Sequence, residues 1–329
     1  MDTILPYLLP PCPTLGLCAP SGFLTEPGAL EMAALYFTEH GCRVVESPHV
    51  HGRHEYFSGT DVQRLGDFHA LVHDPEVHAI MAARGGYGLT RLLAYLDYEA
   101  LASARKPLIG FSDITALHLA VLAQTGLVTF AGPMAAPDFG HPQRSALHQE
   151  HFLPLLSHEW HLSPPIRLPY AEREGDAGLH LREQIGDGLE GTLWGGNLSL
   201  VANLVGTPYF PQVTDGILFL EEVNEEPYRI ERHLLQLFHA GVFRSVRAVL
   251  WGQFNRCVPT HASAAPYTLD HVLTYLRSLV PIPWLVNLPF GHVRDKLTLP
   301  VGGRVRITMP DEAHYQLMFS RYGEARSNS

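Results

Sequence analysis

Between residues 15 and 132, short β-rich runs alternate with helical patterns, and this alternation constrains the fold more than any other feature of the sequence. Apolar runs predict strands at 15–19, 43–46, 79–83, 107–110 and 128–131. Helical patterns lie between or beside them at 29–40, 60–73, 88–96 and 113–125. We therefore predict a doubly wound, flavodoxin-like lobe, in which helices cover both faces of a parallel sheet and ligands bind beyond the carboxyl ends of the strands.

A proline-rich stretch from about residue 133 to 187 interrupts this pattern. Beyond it the sequence predicts helices at 196–205, 227–240 and 269–279, strands at 217–221, 248–253 and 284–288, and a terminal β-rich segment. The prediction is thus an α/β protein of two lobes, the second ending in β structure. We place an N-terminal lobe at 1–165, a connection at 166–187 and a C-terminal lobe at 188–329, with the active site in the cleft between the lobes.

Charge and composition narrow the class of protein and its partners. With 23 basic and 33 acidic residues the net charge is −10, and no run of lysines or arginines exists that could neutralise a series of phosphates. The N-terminal segment lacks the basic region and long apolar stretch of an export signal, and no membrane span is evident. Four cysteines without paired spacing fit a reducing compartment. We expect a cytoplasmic protein that binds neither nucleic acid nor a membrane.

Twenty histidines make a metal site worth considering, above all at His49, His51 and His54. No HExxH motif or comparable ligand spacing accompanies this run. A surface position or the rim of a substrate site is the interpretation we favour, and we expect neither a metal nor another cofactor.

A first candidate for chemistry is Ser112, which follows the apolar run 108–110 and precedes an apolar helical pattern. A serine at a tight strand-to-helix turn is held out at the edge of the sheet, and the amide of the next residue, Asp113, points to where an oxyanion would form. The segment is not G-x-S-x-G, however, and serine is also a favoured N-cap. Taken alone, the segment leaves both interpretations open.

Glycines 85, 86 and 88 follow another apolar strand, in the text Arg84-Gly85-Gly86-Tyr87-Gly88. Glycines at the end of a strand let the backbone approach a ligand and present amides to an anion, although a simple tight turn needs them too. The lysine of a phosphate-binding loop and the spacing of a dinucleotide fingerprint are missing, so a nucleotide site is not favoured.

An acid and a base end two further strands. Glu221 and Glu222 close the apolar run 217–220, and one of them is placed like the acid of a triad, unless both serve the N-terminus of the next helix. His292 follows a Pro-Phe-Gly turn after the strand at 284–288. The order Ser112, Glu221, His292 in an α/β protein matches a known hydrolase arrangement.

The motifs together resemble the LD-carboxypeptidase family of serine peptidases, which includes murein tetrapeptide carboxypeptidases and microcin C immunity peptidases. The matching text comprises Arg84-Gly85-Gly86-Tyr87-Gly88, Gly110-Phe111-Ser112-Asp113-Ile114-Thr115, Gly195-Gly196-Asn197-Leu198-Ser199, Leu220-Glu221-Glu222 and Gly291-His292, with Pro300 and Gly302 downstream. These motifs occur in family order over nearly the whole chain. One departure is Glu222, which stands where many relatives have aspartate.

The resemblance implies a catalytic triad of Ser112, Glu221 and His292 and an oxyanion hole made by the backbone amides of Gly86 and Asp113. It also implies a homodimer without a metal. The expected reaction is release of the terminal D-alanine from a cytoplasmic murein tetrapeptide during cell-wall recycling.

Residues that select the substrate are less well defined. A carboxypeptidase binds a free carboxylate, for which Arg84, Arg294 or a helix N-terminus are candidates, although Arg84 could instead satisfy buried carbonyls. The family also offers a rival, a peptidase of the immunity type that hydrolyses peptidyl or aminoacyl adenylate conjugates, for which Trp194 could stack on the adenine or could simply pack in the core. A non-catalytic module that binds a peptide or a sugar in the same cleft is the alternative from another class.

Overall fold

The structure, a computed structural model, describes residues 2–157, 165–170, 177–260 and 266–326. Within them the strands are β1 (Thr14–Cys18), β2 (Arg43–Glu46), β3 (Ala79–Ala82), β4 (Leu108–Gly110), β5 (Thr129–Ala131), β6 (Ile166–Pro169), β7 (Leu189–Asn197), β8 (Gly216–Val223), β9 (Val246–Asn255), β10 (Trp284–Leu285), β11 (Leu299–Val301), β12 (Arg304–Asp311) and β13 (His314–Ser320). The helices are α1 (Ala29–Glu39), α2 (Asp61–His73), α3 (Tyr98–Ala104), α4 (Thr115–Thr125), α5 (Ala146–Leu156), α6 (Ala177–Ile185), α7 (Leu198–Leu204), α8 (Pro227–His239) and α9 (Leu269–Leu279). No helix in this described part of the chain is long and apolar enough to cross a bilayer.

The chain divides into two compact units. The first contains residues 1–163, 294–302 and 321–329, and the second contains residues 164–293 and 303–320. Each unit holds one β-sheet. Its inner parallel strands, such as β1, β3 and β8, are apolar and buried, as expected where both faces of a sheet are covered, whereas edge strands such as β2 are more exposed.

The sheet of the first unit has the order β11-β5-β4-β3-β1-β2. Strands β1 to β5 run parallel in the flavodoxin-like order 2-1-3-4-5, and β11 pairs antiparallel to β5 at the edge. Right-handed crossovers from β1 to β2 and back across the sheet place α1 on one face and α2, α3 and α4 on the other. Contacts between α2 and α3 and between α3 and α4 agree with this arrangement, so the predicted doubly wound lobe is confirmed.

One helix predicted in the first unit is wrong. Residues 88–96 form two short 3-10 turns, at Leu89–Arg91 and Leu93–Tyr95, and the α-helix begins only at Tyr98. The apolar residues Leu89, Leu92 and Leu93 are buried, which explains why their spacing looked helical. Asp97 supplies the better start signal, because its side chain accepts a hydrogen bond from the amide of Ala100.

The sheet of the second unit has the order β10-β9-β8-β7-β12-β13-β6. Strands β7 to β10 are parallel to one another, whereas β12, β13 and β6 pair antiparallel. The prediction of an α/β lobe with a β-rich end is therefore confirmed. The carboxyl ends of β8, β9 and β10 meet at one edge, as in other parallel sheets, and this edge carries the candidate residues.

The path of the chain departs from the sequence-based division in three places, the last of which is the C-terminal segment 321–329, which belongs to the first unit. Residues 166–169 of the expected connection form β6, which pairs with β13, and 177–185 form α6. Residues 294–302, expected in the C-terminal lobe, belong to the first unit because β11 completes the sheet beside β5. The other predicted site residues stay in the units in which the sequence placed them, but Arg294 moves to the first.

Candidate active site

The predicted catalytic residues divide between the two units. Ser112, Gly86 and Asp113 lie in the first unit, and Glu221 and His292 lie in the second. Each group is built at the carboxyl ends of parallel strands, where an α/β sheet normally binds its ligand.

Ser112 lies on a sharp turn between β4 and α4. Its φ is 63°, in the left-handed region that a residue with a side chain rarely adopts. The turn continues as a single 3-10 turn over Ser112–Ile114, and α4 begins at Thr115. A non-glycine residue held in this conformation stores strain of about 1 kcal/mol or more and is typical of a functional site. The geometry is that of a nucleophile elbow in which Gly110 lies two residues before the serine, but Ile114 replaces the glycine usual two residues after it.

The glycine loop after β3 passes directly beside Ser112. A Cβ added to Gly85 would lie 3.0 Å from the Cβ and 3.3 Å from the Oγ of Ser112, so glycine is what allows the loop to approach this closely. The next residue, Gly86, has a φ of 113° and is exposed. The amide of Gly86 directly follows Gly85, the residue that approaches Ser112. This position is suitable for a donor to an oxyanion formed at the serine.

The side chain of Asp113 joins three loops at this edge of the sheet. Its Oδ2 accepts hydrogen bonds from Ser21 Oγ (2.6 Å), in the loop after β1, and from the amide of Leu89 (2.9 Å), after β3. The carboxyl group is buried, and burial raises its pKa while these two donors lower it. The sequence assigned Asp113 only a backbone role, and its distant partner Ser21 gave no signal in the sequence.

In the second unit, Glu221 and His292 form a hydrogen-bonded pair. His292 Nδ1 lies 2.9 Å from Glu221 Oε2, and because a carboxylate only accepts, Nδ1 carries the proton and donates it. The side chain of Glu221 is fully buried, whereas that of His292 is 25% exposed. This pairing fixes the tautomer with Nε2 as the acceptor nitrogen, which is the form that a general base requires.

Two glycines bring the histidine loop to the end of β8. A Cβ on Gly252, in β9, would lie 2.7 Å from the carbonyl oxygen of Phe290 and 3.4 Å from the Cβ of Glu221. Gly291 has a φ of 140°, and a Cβ there would meet Gln253 O at 2.9 Å. The loop is then fixed by the hydrogen bond from the Gln253 amide to Phe290 O at 2.8 Å. Gly252 was not predicted from the sequence.

Glu222 has a different set of partners from its neighbour. Its two oxygens accept from Asn197 Nδ2 (2.9 Å), from the amide and hydroxyl of Ser199 (2.9 and 2.6 Å), and from the amide of Val223 (2.9 Å). The residue is buried, and it ties the start of α7 to the end of β8. Adjacent glutamates thus point to different neighbours, and only Glu221 contacts the histidine.

The three residues predicted to bind substrate have different surroundings. Arg84 is half-buried and donates to the carbonyl oxygen of Phe23, so at least part of its guanidinium is committed within the protein. The side chain of Arg294 is 58% exposed and lies 3.4 Å from Asp295, which leaves it accessible to solvent.

Trp194 requires a correction. It is 1% exposed, lies in the central strand β7 and packs edge-to-face against Phe210. Its indole is therefore part of the core and not a surface on which an adenine could stack. The neighbouring Gly195 and Gly196 lie at the end of β7, whereas the sequence predicted a helix from residue 196, and a Cβ on Gly195 would collide with Phe219 O.

The histidines at 49 and 51 contact different carboxylates. His49 Nδ1 lies 2.8 Å from Asp67 Oδ1, and His51 Nε2 lies 2.8 Å from Glu46 Oε2. Among the residues that the structure describes, no group of three or more His, Cys, Asp or Glu side chains is arranged to hold a metal ion.

Comparison with known proteins assigns both halves of the chain to the same family. Residues 15–132 match the model of the LD-carboxypeptidase N-terminal domain, and residues 190–307 match that of the LD-carboxypeptidase C-terminal domain. The chain is 32% identical over 304 residues to a probable murein peptide carboxypeptidase from Bacillus subtilis, covering 91% of this chain and 90% of that protein.

Solved structures agree with the sequence comparison. The chain superimposes on a muramoyltetrapeptide carboxypeptidase from Oxalobacter formigenes with a TM-score of 0.80 and 34% identity, covering 94% of this chain and all of the other. It also superimposes on MccF in complex with glutamyl sulfamoyl guanosine, with a TM-score of 0.82 and 26% identity, covering 98% of this chain and all of the other.

Proposed function

The chain belongs to the LD-carboxypeptidase family, and from this we propose that Ser112, Glu221 and His292 form the catalytic triad of a serine carboxypeptidase. The observation that carries the proposal is the hydrogen bond from His292 Nδ1 to the buried Glu221 Oε2, which orients an imidazole as a base. The strained backbone of Ser112 and its contact with the glycine loop supply the matching half of the machinery.

In this mechanism His292 Nε2 takes the proton of Ser112 Oγ as the oxygen attacks the scissile carbonyl carbon. The amides of Gly86 and Asp113 donate to the resulting oxyanion. The protonated His292 then gives its proton to the leaving amine, the C–N bond breaks, and an acyl-enzyme remains on Ser112. Water, activated by the same histidine, hydrolyses the ester and restores the serine.

We propose murein tetrapeptide as the substrate, with cleavage of the bond that joins its diamino acid to the terminal D-alanine. Two of the compared proteins bear names that specify murein or muramoyl peptides, and one of them is 34% identical to this chain. Peptide recycling of this kind would place the protein in the cytoplasm. We further propose that it works as a homodimer without a metal. Arg294, which is exposed, and the uncommitted part of Arg84 remain the candidates for the substrate carboxylate.

The immunity-type rival has less support in this chain. The aromatic residue that could have held an adenine, Trp194, is buried. Sequence identity does not separate the two branches, because MccF from Escherichia coli is 32% identical over 77% of this chain and the probable murein peptide carboxypeptidase from Bacillus subtilis is 32% identical over 91%. A non-catalytic binding module is also disfavoured, because it has no use for a left-handed serine beside a glycine loop or for an oriented histidine.

The proposal is tested by incubating the purified protein with murein tripeptide, tetrapeptide and pentapeptide and measuring the products by mass. We expect loss of one alanine from the tetrapeptide alone. An acylated sulfamoyl adenylate in a parallel reaction separates the two branches of the family. Hydrolysis of the adenylate with an intact tetrapeptide would overturn the proposed substrate, and inertness towards all four compounds would overturn the peptidase assignment for these substrates.

A further inference from the structure

The first unit contains a buried ion pair that the proposed mechanism does not use. Lys296 Nζ contacts the carboxylate of Asp138, and both side chains are almost fully buried, at 2% and 6% exposure. A buried pair of this kind costs desolvation free energy and is weak evidence of a stabilising role. Its position suggests another purpose.

The ion pair lies against the residue that precedes the nucleophile. The ammonium of Lys296 is 4.7 Å from the centre of the Phe111 ring, and Phe111 is bonded to Ser112. On its other side, Asp138 Oδ2 accepts a hydrogen bond of 2.8 Å from the amide of Met134, whose methyl group approaches Gly85. The ion pair therefore contacts Phe111, which is bonded to Ser112, and Met134, which lies beside the glycine loop.

A third group fixes the backbone of the lysine. His148, from α5, lies with its Nε2 3.4 Å from the amide of Lys296. Burial lowers the pKa of His148 to about 4, so its ring is neutral near neutral pH and accepts this hydrogen bond. Both the side chain and the main chain of Lys296 are thus held in the first unit.

The proposed base lies only four residues before this anchor. The chain leaves the second unit at Val293 and enters the first at Arg294, so His292 is joined to Lys296 by a short segment. Four residues span at most about 14 Å when fully extended. The Cα atoms of His292 and Lys296 are therefore at most about this far apart, and the ammonium of Lys296 contacts Phe111.

We propose that Lys296 and Asp138 are positioning residues that tether the base His292 beside the nucleophile Ser112. This inference rests on the proposed triad. The buried ion pair of Lys296 and Asp138 would then hold the segment that follows His292 in place on the first unit, which contains Ser112. Neither residue touches the substrate in this scheme, and their effect on the reaction passes through His292.

The test uses the rate at which a fluorophosphonate labels Ser112 in the full-length protein, a readout that needs the triad but not the natural substrate. The double variant Lys296→Met with Asp138→Asn removes both charges while keeping the lysine's aliphatic stem and an acceptor for Met134. We expect labelling at neutral pH to slow at least about tenfold, as small displacements of catalytic groups cost this much or more. The rise of the rate with pH that reports the base should also flatten.

A matched control pair joins another C-terminal segment to the same unit. Arg105 Nη2 lies 2.6 Å from Glu324 Oε1, and Arg105→Met with Glu324→Gln should leave the rate and its pH profile unchanged. Thermal melts of both double variants show whether the comparison is made on folded protein. Labelling of the Lys296 and Asp138 variant at the wild-type rate would overturn the tether.

A second variant tests the tether without disturbing the ion pair. Two glycines inserted after Val293 lengthen the segment by about 7 Å, and we expect labelling to slow as in the double variant. The control places the same insertion after Ser320, where the chain also passes between units but no triad residue lies nearby in sequence. Equal rates for the two insertions would overturn the inference. Absence of labelling in the wild-type protein would instead contradict the proposed triad itself.

Discussion

The two strand ends that carry the candidate residues are built by different means. At the end of β4 the backbone does the positioning: Ser112 has a positive φ, and Gly85 lets a neighbouring loop touch it. At the end of β8 the side chains do it: two buried glutamates accept hydrogen bonds from different partners and thereby orient His292 and anchor α7. We therefore expect Ser112 to be sensitive to added bulk and His292 to be sensitive to lost charge.

Removing the nucleophile oxygen gives the largest expected effect. Ser112→Ala should lower turnover by about 10⁴- to 10⁶-fold, because a triad acts as a unit. The fold should persist, since one oxygen leaves little space and alanine can follow the same backbone at a modest cost. Turnover on tetrapeptide by mass and a thermal melt check both points. Near-normal hydrolysis by this variant would exclude a serine mechanism.

The adjacent glutamates allow the sharpest contrast within one strand end. Glu221→Gln should lower turnover by roughly 10²- to 10⁴-fold, because an amide neither stabilises the imidazolium nor reliably fixes the tautomer. Glu222→Gln should affect turnover much less but should destabilise the protein by about 1–3 kcal/mol, because an NH2 group must then face a donor such as Ser199.

Both variants are measured for turnover at several pH values and for unfolding in urea. The contrast fails if Glu222→Gln is the variant that loses turnover while remaining folded and Glu221→Gln is near normal. If neither substitution lowers turnover, His292 acts without Glu221 and the triad is wrong.

A methyl group at Gly85 tests the backbone-built site. Gly85→Ala should lower turnover by about tenfold or more, because its Cβ would lie 3.0 Å from that of Ser112 and must displace the serine or the loop. Gly66→Ala is the control, since a Cβ there, in α2, meets no atom within 4 Å. The control should keep its turnover and gain up to about 1 kcal/mol of stability. Equal turnover for the two variants would show that the loop yields without cost.

The smallest effect concerns acid stability beneath the nucleophile turn. His118 Nε2 donates to the carbonyl of Gly110 (2.8 Å), and burial lowers the pKa of His118 from 6.5 to about 4. Between these values the unfolded chain binds the proton and the folded protein does not, so stability falls as the pH falls. This group alone contributes a slope of at most about 1.4 kcal/mol per pH unit.

His118→Gln keeps a donor for Gly110 and should reduce that slope, which urea midpoints between pH 4.5 and 7 would measure. A slope equal to that of the wild-type protein would mean that other groups, His148 among them, account for the acid sensitivity.

Much of the fold follows from the sequence because buried parallel strands are nearly continuous apolar runs. The strands β1 to β5 were predicted to within a residue or so at each end. β7 was missed because Gly195 and Gly196 look like a turn, whereas they allow close pairing with β8. The 88–96 helix failed because burial of its leucines does not require helical geometry.

The pairing of Glu221 with His292 was predictable because each residue follows the end of a strand, and the structure joins the two by a hydrogen bond. The catalytic triad with Ser112 stays a prediction. Contacts between segments that are distant in sequence leave no local pattern. Ser21 donates a hydrogen bond to Asp113, 92 residues away, and Lys296 contacts Asp138, 158 residues away. The stacking role considered for Trp194 is wrong because residue type alone does not show whether a side chain faces a cleft or the core.

The strand β11 has a consequence for how the protein is made. It covers the edge of β5 in the first sheet, yet it is encoded about 170 residues later, after nearly all of the second unit. During synthesis the edge of β5 therefore stays uncovered until the residues of the second unit that precede β11 have left the ribosome. An uncovered strand edge is a template for pairing with other chains. We expect nascent or truncated chains that end before residue 299 to be those that need a chaperone.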